Sequence, residues 1–390
     1  MAVRRLRVAI VGGGLGGLAC GIGLRQAGHE VRVFERDADA GARAQGVVLN
    51  LEGGLSALDR LGLGEAVRAV GFPTPGLAVL DARMRPLIRF PAKDSFSVAR
   101  PALRGLLLEA LGPDAISWGR RSTGFEEGDE GVTVSFEDGE RWGADVLVGA
   151  DGVRSVVREQ RHGDPLEFRR LMILGNELTG EAVEPWAASP WLAEGKSILL
   201  SKHGSFYVTL YSQERRLHWS FGLPATEEEI EALAADPAGL AGEAARRAAQ
   251  WPEPVPSLVA ASAGHPFRLR GVYDREPLPA APPGRVTLLG DAAHPMTPYR
   301  GLGANLAFED AADLAEMLSS PEGAADPVSA LAAYERTMAP RGTSAQQASR
   351  WTAWLLHFQN PAACAARNSW LRLAQRVARV VGKKRGRSGT

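Results

Sequence analysis

RVTLLGDAAHPMTPYRGLGANLAFEDAADLAEML, residues 285–318, passes from a strand pattern through a constrained loop into a helix pattern. Val286 to Leu289 is an apolar run long enough for a buried strand, and it stops at Gly290-Asp291, which leaves a carboxylate at the strand's carboxyl end. From Ala304 onward Leu306, Ala307, Asp310, Ala311, Leu314 and Leu318 recur at helical spacing. Between the two, Pro295 and Pro298 fix the backbone, while Gly301 and Gly303 let it approach a ligand closely. An acid, a rigid loop and a helix N-terminus together suit a molecule that carries hydroxyls and a carbonyl able to become negative.

Working outward, the N-terminal end supplies a second such junction. The apolar strand Leu6 to Val11 runs into Gly12-Gly13-Gly14-Leu15-Gly16-Gly17, and a helix pattern continues from Leu18 to Ala27. Gly12, Gly14 and Gly17 hold the G-x-G-x-x-G positions, and the next strand, Glu30 to Phe34, ends in Glu35 and Arg36. In this setting the glycines serve the tight turn, the approach to a pyrophosphate and helix packing, and the acid suits an adenosine ribose without a 2′-phosphate; FAD and NAD both satisfy it.

A third junction lies between these. Val132 to Phe136 and Glu140 to Leu147 read as a hairpin through Asp138-Gly139, followed by Val148-Gly149-Ala150-Asp151-Gly152-Val153-Arg154-Ser155-Val156-Val157-Arg158. By itself Asp151 would be a helix N-cap with Arg154 and Arg158 solvated beyond it. Arg100-Pro101 opens a helix, where an arginine is badly placed against the dipole unless it serves a ligand.

Composition sets bounds. The 390 residues hold 45 basic and 45 acidic side chains, a balance that gives no reason to expect nucleic acid as a partner. Two cysteines, Cys20 and Cys364, are too few for a disulfide framework or a metal site and suit a reducing cytoplasm. No apolar run is long enough for a membrane span, and the glycine-broken N-terminus does not read as a signal peptide. From Arg367 onward every charged residue is basic, which reads as a solvated bridging helix with a frayed basic tail ahead of the alternative, an amphipathic membrane-surface helix.

The three junctions, in this order from Val8 to Leu318, resemble the single-component FAD-dependent aromatic hydroxylases, the para-hydroxybenzoate hydroxylase-like monooxygenases. The resemblance implies an α/β fold: a Rossmann-like FAD-binding domain, an embedded antiparallel-sheet substrate domain and C-terminal helices. It implies FAD held by Gly12, Gly14, Gly17, Glu35, Arg36, Arg43, Arg100, Asp151 and Asp291, with Pro298, Gly301, Leu302, Gly303, Ala304 and Asn305 along the pyrimidine edge of the flavin. Pro298 and Gly301 would then stand at the reacting centre, where a helix N-terminus stabilises negative charge on the reduced ring. Leu302 departs from the polar residue many members carry; because the contact is mainly backbone, little should change.

Leu166 to Pro224 carries four strand-like segments, Leu171–Leu178, Ser197–Ser201, Ser205–Tyr211 and Leu217–Leu223, read as an antiparallel sheet. In the resembling family such a sheet roofs the substrate cavity. A faint similarity of residues 195–224 to tetracycline-inactivating monooxygenases marks His218 as substrate-facing and as a base for a phenolic substrate, with Ser220 and Val208 nearby. The expected domains are 1–75, 99–165 and 273–340 for FAD, 76–98 and 166–272 for substrate, and 341–390 for terminal helices and a basic tail. The implied reaction is hydroxylation of an aromatic or enolic small molecule, polycyclic secondary metabolites included, with NAD(P)H and O2 and through a C4a-hydroperoxyflavin. Monomer and homodimer both fit. A flavin oxidase or dehydrogenase, a halogenase, and a non-catalytic flavin sensor stay open; Trp219 to Pro224 echoes the halogenase W-x-W-x-I-P signature.

Overall fold

The computed structural model describes residues 4–42, 48–74, 76–91, 96–212 and 214–385, with side chains up to residue 378. Contacts divide the chain into two units, one of residues 1–73, 95–167 and 273–350, the other of 74–94, 168–272 and 351–390.

The first unit is built on a parallel sheet. Strand β1 (Arg7–Val11) leads through the glycine turn into helix α1 (Leu15–Gln26) and then β2 (Glu30–Phe34). The sheet adds β3 (Ile116–Ser117), β4 (Val146–Gly149) and β5 (Val286–Leu288), in the order β5-β4-β1-β2-β3, all neighbours parallel. Helix α2 (Val156–His162) follows β4, helix α3 (Gly303–Ser319) follows β5, and helix α4 (Pro327–Leu356) comes after it. The strands are nearly continuous apolar runs because both faces are covered, and Val8, Ile10, Val146, Val148, Val286 and Leu288 are all fully buried. Registers Val11↔Gly149 and Gly149↔Leu288 bring the three strand ends level, so the three sequence junctions share the sheet's carboxyl edge.

Two expectations are corrected here. The segment from Glu140 to Leu147 is not one hairpin arm: Arg141–Ala144 pairs antiparallel with Val132–Phe136, and after Asp145 the chain enters the parallel sheet as β4. Asp145 makes the break by accepting the Arg7 N–H at 2.7 Å. Phe96–Ala99, expected with the substrate strands, pairs instead with Val48–Leu51 and Gly71–Pro73 and belongs to the first unit.

The second unit is organised on a seven-stranded sheet. Its central strands are Glu167–Thr179, Arg216–Pro224, Gly204–Tyr211 and Gly195–Ser201, each antiparallel to the next. The sheet is mixed rather than wholly antiparallel, since Gly195–Ser201 runs parallel to Gly76–Asp81. One face packs against Leu240–Ala248 and Val255–Ala261 through Phe206, Val208, Leu217, Trp219 and Phe221. Phe206 centres that core, with Trp219, Phe221 and Trp251 ring centroids 5.8, 4.9 and 6.1 Å away. Trp219 is therefore a core side chain, its indole N–H donated to Ser262 Oγ at 2.8 Å, and the halogenase echo falls on packing.

Candidate active site

At the first junction Gly12 has φ +113°, and a Cβ there would lie 2.2 Å from the carbonyl oxygen of Ala150. Only glycine lets the β1 turn press against the β4 turn. Gly14 opens α1 with no capping side chain and no acid in the first turn, and its Cβ position meets no protein atom within 4 Å. The helix thus presents free N–H groups and a positive end to whatever lies before it. Glu35 is buried beside this turn, accepting the Gly13 N–H at 2.8 Å, while Arg36 is exposed.

The second junction places Asp151 Oδ2 2.8 Å from the Val156 N–H, so it supports the start of α2. The cap itself is Ser155, whose Oγ accepts the Arg158 N–H at 2.9 Å. Asp151 Oδ1 is buried with no hydrogen-bond partner among the described residues, and burial raises this carboxyl's pKa despite its hydrogen bonds. Arg158 is not solvated as its position in the motif suggested. It is wholly buried, paired with Asp164 at 2.6 Å, and donates to the carbonyls of Ala292, Ala293 and Glu276. It therefore ties the second junction to the third.

In the third junction Asp291 is exposed at the end of β5, and Pro298–Arg300 forms a single turn ending at Gly301, left-handed at φ +64°. Helix α3 then starts at Gly303 with Leu302 as a non-capping N-cap and no acid in its first turn. Gly301 meets no atom within 4 Å of its Cβ position, and Pro298, Gly301, Leu302, Gly303 and Ala304 are all at least partly exposed. Asn305 differs: its side chain is committed within the protein, donating to Asn50 O and Gly301 O and accepting the Gly54 N–H at 2.9 Å. It holds the loop, and only its backbone remains for a ligand. Arg100 is the half-buried first residue of its helix, and Arg43 lies outside the described residues.

Beneath this loop is a charged cluster that sequence reading missed, because Asp310 looked like one more position on the helical face. Asp310 is fully buried, with Oδ2 2.6 Å from His294 Nε2 and accepting the Gly290 N–H, and Oδ1 accepting from Arg341 at 2.7 Å. Burial opposes charge on both partners, but their mutual attraction wins, so His294 is raised and Asp310 lowered from their ordinary values.

Two uncapped helix ends, two open glycines and a buried, incompletely bonded carboxylate along one sheet edge fit an FAD. Residues 5–349 match the family model described as FAD binding domain. The chain is 31% identical over 384 residues to an aurachin C monooxygenase/isomerase of Stigmatella aurantiaca, with 94% of each chain covered.

The chain belongs to the FAD-dependent monooxygenases.

FAD is its cofactor. It is also 33% identical over 362 residues to the 3-amino-4-hydroxybenzoate 2-monooxygenase PtmB3 of Streptomyces platensis, covering 89% of this chain and 87% of the relative. Among solved structures, Klebsiella pneumoniae HpxO complexed with FAD and uric acid superposes with a TM-score of 0.80 at 25% identity, over 94% of this chain and 92% of that one.

In this monooxygenase the second unit's sheet separates the three expected substrate residues. Val208 registers with Trp219 and is fully buried in the helix-covered core, whereas His218 registers with Thr209, and Ser220 with Tyr207, on the opposite face. That face carries a continuous polar row across four strands, Glu177↔His218↔Thr209↔Lys196. Lys196, a residue the sequence reading passed over, is only 5% exposed. Burial, with further push from Arg268 and Arg270, outweighs Glu177 and lowers the His218 pKa to about 4. Burial also raises the phenols of Tyr207 and Tyr211, and Glu177 at the far end of the row is paired with Arg216 at 2.7 Å, so neutral donors lie between that ion pair and Lys196.

Proposed function

We propose that the chain is a single-component monooxygenase that takes electrons from NAD(P)H and one atom of O2 to hydroxylate an aromatic or enolic small molecule bearing an acidic oxygen. When bound, FAD supplies the redox and oxygen chemistry. The observation that carries the substrate class is the row Lys196, Thr209 and His218 with Tyr207 and Ser220 beside it: a buried lysine next to hydroxyl and imidazole donors suits a phenolate or enolate. The names of the aminohydroxybenzoate relative and of the urate-bound neighbour support the same class.

The roles of the chain's own residues follow. Gly12, Gly14 and Gly17 with Glu35 and Arg36 would hold the adenosine and pyrophosphate, Asp151, Arg100 and Arg43 the middle of the cofactor, and Asp291 the ribityl chain. The N–H groups at Gly303 and Ala304, after Pro298 and Gly301, would stabilise negative charge on the ring's pyrimidine edge. His218, neutral down to about pH 4, orients the substrate oxygen rather than storing its proton. Lys196 favours the ionised substrate, lowering the pKa of its hydroxyl. The reducing cytoplasm fits the two free, buried cysteines, and among the described residues no helix is long and apolar enough to cross a membrane.

The test is rapid oxidation of the NADPH-reduced protein in oxygenated buffer with a panel of phenols, enols and their O-methyl ethers. The expected result is ligand-accelerated NADPH consumption matched by oxygenated product for free phenols or enols only. Peroxide formation with every ligand would sink the reading. Lys196→Met should raise KM for the same substrates roughly 10- to 100-fold, the loss of one charge-assisted hydrogen bond of about 1.5–3 kcal/mol, while FAD content stays unchanged.

A further inference from the structure

The second unit carries an apolar stripe that the FAD and substrate sites leave unused. Trp351, Trp354, Trp370, Leu373 and Val377 are each at least half exposed. Trp351 and Trp354 lie one turn apart at the end of α4, and Trp370, Leu373 and Val377 follow at i, i+3, i+7 on the terminal helix Pro361–Arg385. The Trp351 and Trp370 rings meet edge-on at 6.3 Å, which joins the two short runs into one surface. The other side of the terminal helix is anchored: Leu371 and Arg367 are buried, Gln375 accepts the Arg89 N–H, and Arg372 pairs with Asp81 at 2.7 Å. The stripe is therefore held in place by the fold.

Charge decides what covers it. Residues 376–385 of that helix contain Arg376, Arg379, Lys383, Lys384 and Arg385 and no acid, in a chain whose net charge is zero. A second copy laid on this stripe would bring two such basic runs together. An anionic surface would instead be complementary to them, and tryptophans beside lysines and arginines are the composition of helices that lie in a bilayer interface.

We propose that this stripe and the basic run beyond it dock the enzyme peripherally on an anionic lipid bilayer, with the tryptophans at headgroup depth. The lipid surface is the sole occupant proposed, and the inference does not depend on the substrate reading. The test is co-sedimentation of the FAD-loaded full chain with vesicles of phosphatidylcholine containing phosphatidylglycerol, against phosphatidylcholine alone. Expected are binding to the anionic vesicles only, a blue shift of tryptophan emission on binding, and release at about 0.5 M salt, where screening is short-ranged.

Trp354→Ser with Trp370→Ser should cut vesicle binding by about tenfold or more, and Arg376→Glu with Lys383→Glu should do the same, each with FAD absorbance and melting retained. No sedimentation with anionic vesicles, or equal binding to both vesicle types, would overturn the proposal. So would a dimer in sedimentation equilibrium that Trp354→Ser dissociates, since a second copy would then cover the stripe.

Discussion

Gly12 and Gly14 stand two residues apart on the same turn and answer to different neighbours. The space a Cβ would need at Gly12 is taken by the protein's own backbone, 2.2 Å from Ala150 O, whereas at Gly14 it is free of protein. Gly12→Ala should therefore destabilise the FAD-free protein by about 2–3 kcal/mol or more, from left-handed strain and backbone collision. Gly14→Ala should leave the FAD-free melting curve within about 0.5 kcal/mol of the parent and weaken FAD binding by roughly tenfold or more, because its methyl group would occupy cofactor space. Paired melting and FAD titration of the two variants separate the effects. A Gly14→Ala protein that binds FAD normally would remove the first turn from the cofactor site.

At the scale of elements, Arg158 couples the second junction to the third, and the His294–Asp310–Arg341 cluster fastens the third junction's loop to α3 and α4. Arg158 on α2 holds the carbonyls that follow β5, so Arg158→Met would leave those buried carbonyls without their donor and Asp164 with Arg275 alone, at 3.5 Å, and cost about 1–3 kcal/mol. Arg158→Lys should recover only part of this, since a lysine cannot reach Asp164 and three carbonyls in one plane. Thermal melts and FAD affinity should fall together in both. The buried histidine gives a pH signature. His294 is raised in the fold, so its stabilisation is fully present below its unfolded value of about 6.5 and is lost as pH rises through the folded value. Asp310 is lowered, so its share is present above about 3.8 and lost as pH falls below that. His294→Gln should accordingly cost most between about pH 4 and 6.5 and progressively less in alkali; a cost that grows with pH would show that the histidine is neutral in the fold.

For the molecule as a whole, three histidines set the acid limit. His162, His218 and His357 are each lowered from 6.5 to about 4, chiefly by burial. Between those values the unfolded chain binds protons that the folded chain does not, so stability falls as pH drops from about 6.5 towards 4. Urea midpoints across this range should decline, and less steeply in His218→Gln and His357→Gln. A flat profile would contradict the burial of these rings. His357 makes its contribution within the second unit, where it contacts Ser205 at 3.1 Å.

The parallel sheet, its three carboxyl-edge junctions and their order were legible in the sequence, because strand and helix periods, G-x-G-x-x-G spacing and Gly-Pro loops are local constraints on backbone and solvent exposure. The open glycines at 14 and 301 and the uncapped helix starts follow from the same local rules. Alternation along the second sheet likewise paired Phe206 with Val208 and set Tyr207 against them, but it could not say which set faced helices. Only the register put Val208 beside Trp219 in the core and aligned Glu177, His218, Thr209 and Lys196 on the other face. Arg158, Asp310 and Lys196 read as ordinary surface or helix positions until carbonyls more than a hundred residues away enclosed Arg158, His294 and Arg341 closed on Asp310, and neighbouring strands covered Lys196. Burial and pKa depend on those distant neighbours, so charge state, the split of the substrate face and the coupling of the junctions belonged to the tertiary structure alone.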